Sequence, residues 1–222
     1  DFVEVTWTAS GAQTVSVSYT DGSGCTAAAP TVFNVTVNPL PVPGLTGPNP
    51  VCVNSTGNTY TTEAGMTNYT WAVSAGGFIT SGGGVNDDFV EVTWIASGAQ
   101  TVSVSYTDGS GCTAAAPTVF NVTVNPLPVP SLNGPTPVCL NSTGNTYTTD
   151  AGMTNYAWSV SAGGTITSGG GVNDDFVEVT WTASGAQTVS VSYTDGSGCT
   201  AAAPTVFNVT VNPLPVPSLN GP

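Results

Sequence analysis

Three residue types are missing from this chain: 222 residues contain no lysine, no arginine and no histidine. Without cations nothing here can neutralise phosphates, which excludes nucleic acid as a partner. An anionic membrane surface is excluded for the same reason. The lack of histidine removes the usual general base and the commonest metal ligand. Lysine Schiff bases, lysine-based isopeptide links and side-chain salt bridges are impossible too. Burial, backbone ladders and disulfides are left to hold the fold, and trypsin has no site to cut. The charge present is of one sign, 13 Asp plus Glu, but only 6% of residues are charged. With 40% of residues hydrophobic, disorder is not expected. No apolar run reaches the ~20 residues of a membrane helix. No basic segment leads into an apolar one, so any export signal is expected outside these residues.

What is there is repetition. Asp1-Phe2-Val3-Glu4-Val5-Thr6-Trp7 returns at Asp88 to Trp94 and at Asp175 to Trp181, a period of 88 − 1 = 87 residues. Residues 41–127 and 128–214 differ at nine positions, and residues 1–40 match 175–214 throughout. Proline-rich stretches, Asn38 to Pro43 and Asn125 to Pro130, mark the boundaries as semi-rigid spacers. The expected organisation is therefore the C-terminal half of a preceding repeat at 1–40, complete repeats at 41–127 and 128–214, and the start of another at 215–222. Such arrays set their length by copy number, and each unit touches mainly its neighbours.

Inside a repeat the period is two. Tyr69, Trp71 and Val73 alternate with polar or small residues, as do Val90, Val92 and Trp94, then Val102, Val104 and Tyr106, then Phe120, Val122 and Val124. Each run predicts a strand with one apolar face. Shorter strands around Tyr60 and Ile79 bring the count to six or seven, separated by glycine-rich turns. About 90 residues of short alternating strands predict an all-β chain of tandem immunoglobulin-like antiparallel sandwiches. The differences Thr70/Ala157, Ala72/Ser159, Phe78/Thr165 and Ile95/Thr182 are assigned to exposed positions, because none falls on the alternating apolar set.

Cys52 and Cys112 are 60 residues apart, as are Cys139 and Cys199, whereas Cys25–Cys52 and Cys112–Cys139 are separated by 27. Spacing alone does not choose a pairing. If Cys52, where the repeat opens, shares a pole with the loop before the last strand, Cys52–Cys112 and Cys139–Cys199 pair within repeats. Cys25 then bonds outside this stretch of sequence. Disulfides place the protein in an oxidising, extracellular setting.

Two acidic clusters, Asp87, Asp88 and Glu91, then Asp174, Asp175 and Glu178, are the groupings that could offer oxygens to calcium. Alternation nonetheless sends Asp88 and Glu91 to opposite faces, so the simpler expectation is a solvated turn and no cofactor. Trp94 and Trp181 end an apolar strand face and are read as core, with a sugar-stacking platform as the alternative. A sandwich this small offers little cleft for catalysis, so no enzyme is expected.

Tyr69-x-Trp71-x-Val73, Val90-x-Val92-x-Trp94, the strand Thr101 to Asp108 followed by Gly111-Cys112, and Val122-Thr123-Val124-Asn125-Pro126 resemble PKD-like (polycystic-kidney-disease-like) immunoglobulin-type repeats. Such repeats occur in giant surface and secreted proteins of gliding, type IX-secreting bacteria. The resemblance implies an adhesin stalk or filament at the cell surface and carries no catalytic residue over. The acidic strand start replaces the Asp-Phe-Gly-Asp-Gly motif of standard PKD domains. Expected partners are neighbouring repeats of the same chain, other copies in a fibre, and surface polysaccharide. The second functional reading is a repeated carbohydrate-binding or accessory module of a secreted enzyme.

Overall fold

The computed structural model describes residues 1–219 and 221, and among them there is no helix. The expected opening of a further repeat at 215–222 therefore falls partly outside the described residues. Strands β1 (Gly11–Val17) and β2 (Thr31–Val37) form an antiparallel hairpin. Seven strands follow: β3 (Val51–Cys52), β4 (Asn58–Thr61), β5 (Thr67–Val73), β6 (Gly77–Gly82), β7 (Phe89–Trp94), β8 (Gly98–Thr107) and β9 (Thr118–Asn125). The set then repeats as β10 (Val138–Cys139), β11 (Asn145–Thr148), β12 (Thr154–Val160), β13 (Gly164–Gly169), β14 (Phe176–Trp181), β15 (Gly185–Thr194) and β16 (Thr205–Asn212).

Each set makes two sheets, one of four strands in the order β3-β9-β8-β5 or β10-β16-β15-β12, one of three in the order β4-β7-β6 or β11-β14-β13. The alternating side chains of both sheets meet between the layers. In the second sandwich Tyr147, Val177, Val179 and Trp181 from one sheet pack with Tyr156, Val189, Val191, Tyr193, Val209 and Val211 from the other. The first sandwich buries the equivalent residues, Tyr60, Val90, Val92 and Trp94 with Tyr69, Val102, Val104, Tyr106, Val122 and Val124. Period-two burial of one face against a second sheet is why the chain is a sandwich and not a single sheet. Thr70, Ala72, Phe78 and Ile95 and their counterparts Ala157, Ser159, Thr165 and Thr182 are all exposed, as expected for differences that leave the core untouched.

The first strand is where the structure differs from expectation. The segment entering the sandwich runs along the edge of β4, with Thr46 bridging Thr61 and the Tyr60 hydroxyl donating to the Pro48 carbonyl at 3.3 Å. It then changes sheets, and β3 pairs parallel with β9, Val51 opposite Val124 and Cys52 opposite Asn125. The proline-rich entry thus serves as a strand split between two sheets. The second repeat does the same, with Cys139 opposite Asn212.

The chain folds as two compact units, residues 1–49, 54–95 and 99–123 in one, and 50–53, 96–98 and 124–222 in the other. The hairpin alone keeps its apolar face open. Phe2, Val3, Val17 and Phe33 line a cavity of about 420 Å³, although the counterparts of Val3 and Val17 one repeat on, Val90 and Val104, are fully buried.

Candidate functional site: the cystine and the carboxylate clasp

A disulfide joins Cys52 to Cys199, 147 residues apart, with a Cα separation of 5.7 Å. Both cysteines belong to the same compact unit. This overturns the expected Cys52–Cys112 and Cys139–Cys199 pairs; Cys112 and Cys139 are free cysteines, and so is Cys25. The reason lies in β3. Because it runs parallel to β9, Cys52 sits beside Asn125 at the end of that strand. Cys112 lies in the loop before β9 begins. Seven steps of ~3.3 Å separate the two poles, far beyond the ~6 Å that a disulfide bridges. A cysteine at the far pole bonds forward into the next repeat.

The loop presenting the second cysteine is built by an aspartate. Asp195 Oδ1 accepts hydrogen bonds from the backbone N–H groups of Ser197 and Cys199, both at 2.9 Å. The Thr194–Thr200 bridge closes its neck. Asp108 does the same for Ser110 and Cys112, and Asp21 for Ser23 and Cys25. These Asp-Gly-Ser-Gly turns are hairpin turns, as their sequence indicates.

Sequence reasoning missed the feature that seats the entering segment. In the first sandwich both Glu63 carboxylate oxygens accept the Gly44 N–H, at 2.9 and 3.0 Å, and Oε2 also accepts the Tyr106 hydroxyl at 3.1 Å. The Tyr69 hydroxyl donates to the Glu63 carbonyl at 2.6 Å, and its ring stands edge-on to Tyr106 at 5.8 Å. In the second sandwich Asp150 Oδ2 accepts the Ser131 N–H at 2.8 Å and the Tyr193 hydroxyl at 2.7 Å, while Oδ1 accepts the Ser131 hydroxyl at 2.8 Å. Two of the nine differences are thus one compensated change. A Cβ on Gly44 would lie 2.6 Å from Glu63 Oε1, so serine there would require that carboxylate to shift, whereas the shorter acid of the second repeat sits beside serine and bonds it. The pairing Gly44/Ser131 with Glu63/Asp150 was visible in the sequence, but nothing there placed residues 19 apart in contact.

Electrostatics follow these bonds. The Ser131 N–H and then the Tyr193 hydroxyl hold the Asp150 carboxyl below its usual value, against a smaller opposing effect of burial. For Glu63 burial is the largest single influence and acts upward, yet the bonds from Thr62, Gly44 and Tyr106 together leave it lowered. Burial, then the bond to Asp150, pushes Tyr193 up to about 12.

The acidic clusters do not converge. Among the described residues no group of three or more His, Cys, Asp or Glu side chains is placed to hold a metal ion. Asp87 Oδ2 caps its own turn at the Gly84 N–H, 2.8 Å away, and its carbonyl accepts the Trp71 indole N–H at 2.9 Å. The Asp88 carbonyl is taken by the Thr62 N–H, and Glu91 stands on the outward face of β7. Asp174 repeats the arrangement with Gly171 and Trp158, and Glu178 is likewise half-buried on β14, following Asp175, whose carbonyl accepts the Thr149 N–H. The six carboxylates thus do not gather into a shared oxygen cluster among the described residues.

Trp94 and Trp181 are fully buried. Their indole N–H groups donate to the Tyr60 and Tyr147 hydroxyls at 3.2 and 3.1 Å. A ring with no exposed face cannot stack on a sugar, which corrects the platform alternative and leaves both residues as core.

The profile of the PKD-like domain family matches residues 38–122 and 125–209. No curated protein matches the sequence. Among solved structures, the chain is similar to the Escherichia coli adhesin FdeC, at 14% identity over 91% of this chain and 85% of that one, TM-score 0.41. It is also similar to the D00–D0 domain of Intimin, at 13% identity over 77% of this chain and all of that one, TM-score 0.39. Domains 4–9 of the surface layer protein SbsC match at 13% identity over 92% of this chain and 35% of that one, TM-score 0.28.

Proposed function

The chain belongs to the PKD-like domain family, and from that premise we propose that it is a segment of an extracellular stalk or filament that presents an adhesive end at a cell surface. Domains of this kind are typically structural modules, and no catalytic role is part of the reading. The observation that carries it is the Cys52–Cys199 bond. A cystine linking a strand of one repeat to a loop of the next converts a string of domains into a covalently laced chain, and it belongs to an oxidising compartment. The near-identity of the repeats supports a role read out in length, since distance needs copies and not variety. Setting the stalk in a giant surface protein of a type IX-secreting bacterium rests on the resemblance of its strand motifs.

The test is single-molecule stretching from the two ends. With the cystine intact, tension passes from residue 52 to residue 199 and bypasses the chain between them. Reduction should release that hidden length as the sandwiches between the two cysteines unfold. A stretching record unchanged by reduction would sink the mechanical role given to the bond. Nothing observed favours the polysaccharide-binding alternative, whose aromatic platform is buried.

A further inference from the structure

We propose that Glu63 and Asp150 are specificity residues, each making its sandwich select its own entry segment over the near-identical segment of a second copy of this chain. The entry segments are residues 43–53 and 130–140. Of the differences between the repeats, Gly44/Ser131, Thr46/Asn133, Asn49/Thr136 and Val53/Leu140 fall in this short stretch, and Glu63/Asp150 receives it. The surface on which each segment docks is otherwise shared. Thr46 bridges Thr61 as Asn133 bridges Thr148. The Tyr60 and Tyr147 hydroxyls donate to the Pro48 and Pro135 carbonyls. The Thr62 and Thr149 hydroxyls donate to the Gly44 and Ser131 carbonyls at 2.6 and 2.5 Å. Val51 pairs with Val124, and Val138 with Val211. Asn49 Oδ1 takes the Thr123 N–H at 2.8 Å where Thr136 Oγ1 takes the Thr210 N–H at 3.0 Å, so this difference preserves the bond it touches.

A docking surface copied so closely is a hazard, because like elements exchange between chains at little cost. A segment 130–140 from a second copy would meet the same threonines, tyrosine and valine on the first sandwich. The acid tells the two segments apart. Gly44 gives its N–H to Glu63, whereas a Cβ at that position would stand 2.6 Å from Oε1, so an incoming Ser131 forces the carboxylate to shift. Conversely, Gly44 placed before Asp150 has no hydroxyl for Oδ1, which Ser131 supplies at 2.8 Å. Each crossed pairing loses or loosens a hydrogen bond that each native pairing keeps. A coupling the size of one hydrogen bond shifts the choice about fivefold.

The cystine reports which segment is in place. Cys52 lies opposite Asn125 and bonds Cys199. A foreign segment 130–140 on the first sandwich sets Cys139 opposite Asn125, where Cys199 would close on it. A Cys139–Cys199 bond between copies therefore marks exchange, and Cys52–Cys199 marks its absence.

The test uses the full chain with Cys25→Ser and Cys112→Ser, because residues 20–33, 107–120 and 194–207 are identical and would give indistinguishable peptides. The protein is reduced, unfolded in urea, refolded at high concentration in a glutathione redox buffer and digested with chymotrypsin. The Cys52 and Cys139 peptides differ in mass through Val53 and Leu140. With the native clasps Cys52–Cys199 should dominate. Gly44→Ser with Glu63→Asp gives the first repeat the clasp of the second. Its urea midpoint should stay close to that of the parent, while the share of Cys139–Cys199 should rise about fivefold. Exchanging the acids, Glu63→Asp with Asp150→Glu, mismatches both native pairings and should raise that share further. Equal shares in all three proteins would overturn the inference. So would a rise confined to the exchanged-acid protein, which loss of stability alone explains.

Discussion

Gly44 and Glu63 show how a single atom decides what a position tolerates. Serine at 44 would bring its Cβ against the Glu63 carboxylate, which must then shift and loosen its hold on the Gly44 N–H. Gly44→Ser alone should therefore cost about 1 kcal/mol in chemical denaturation, the order of one lost hydrogen bond. Adding Glu63→Asp should restore most of it, as in the second repeat, and additivity of the two changes would contradict the coupling. The same clasp sets a pH response. Asp150 titrates below its ordinary value of 3.8, so its contribution is complete above that pH and is lost as pH falls through the lower, folded value. Tyr193 works in the other direction. Its hydroxyl is held at about 12 in the fold against 10.0 outside it, so its contribution is whole below pH 10 and disappears between 10 and about 12. With no lysine or arginine to lose protons there, Tyr193→Phe should visibly weaken the alkaline unfolding transition followed by circular dichroism. An unchanged alkaline limb would contradict the assignment.

At the scale of the strand, β7 and β14 combine alternation with a buried aromatic end. Trp94 closes β7 with its indole N–H on Tyr60, the rings edge-on at 6.4 Å. The Gly47 backbone also packs on Tyr60, since a Cβ there would come within 2.1 Å of the ring. Trp94→Ala should destabilise the first sandwich by about 3–5 kcal/mol through the cavity it leaves, read as a lower unfolding midpoint. A fully stable Trp94→Ala protein that had lost binding to a glycan array would restore the platform reading. Strand positions and faces were legible because a period of two has one physical meaning once one side is apolar. The splitting of the first strand was not. Its Pro43 to Pro50 stretch carries no alternation, and proline's missing N–H makes it read as a spacer, although edge positions accept it.

For the whole molecule the decisive quantity is the loop the cystine closes. A crosslink 147 residues apart restricts the unfolded chain by about 5 kcal/mol in the entropic treatment. At ~3.6 Å per extended residue it hides roughly 500 Å of contour from an end-to-end pull. Reduction should return that length, whereas cystines within repeats would return two short gains of about 200 Å each. The repeat period, the all-β alternation, the absence of cationic chemistry and the apolar core set followed from the amino-acid order alone, because each is a local or one-dimensional property of it. The cystine partner and the carboxylate clasp were decided only in three dimensions. The cystine depends on which pole a two-residue strand reaches, set by its pairing with β9 some 70 residues later in the chain, and the clasp on a contact between residues 19 apart that no local pattern announces.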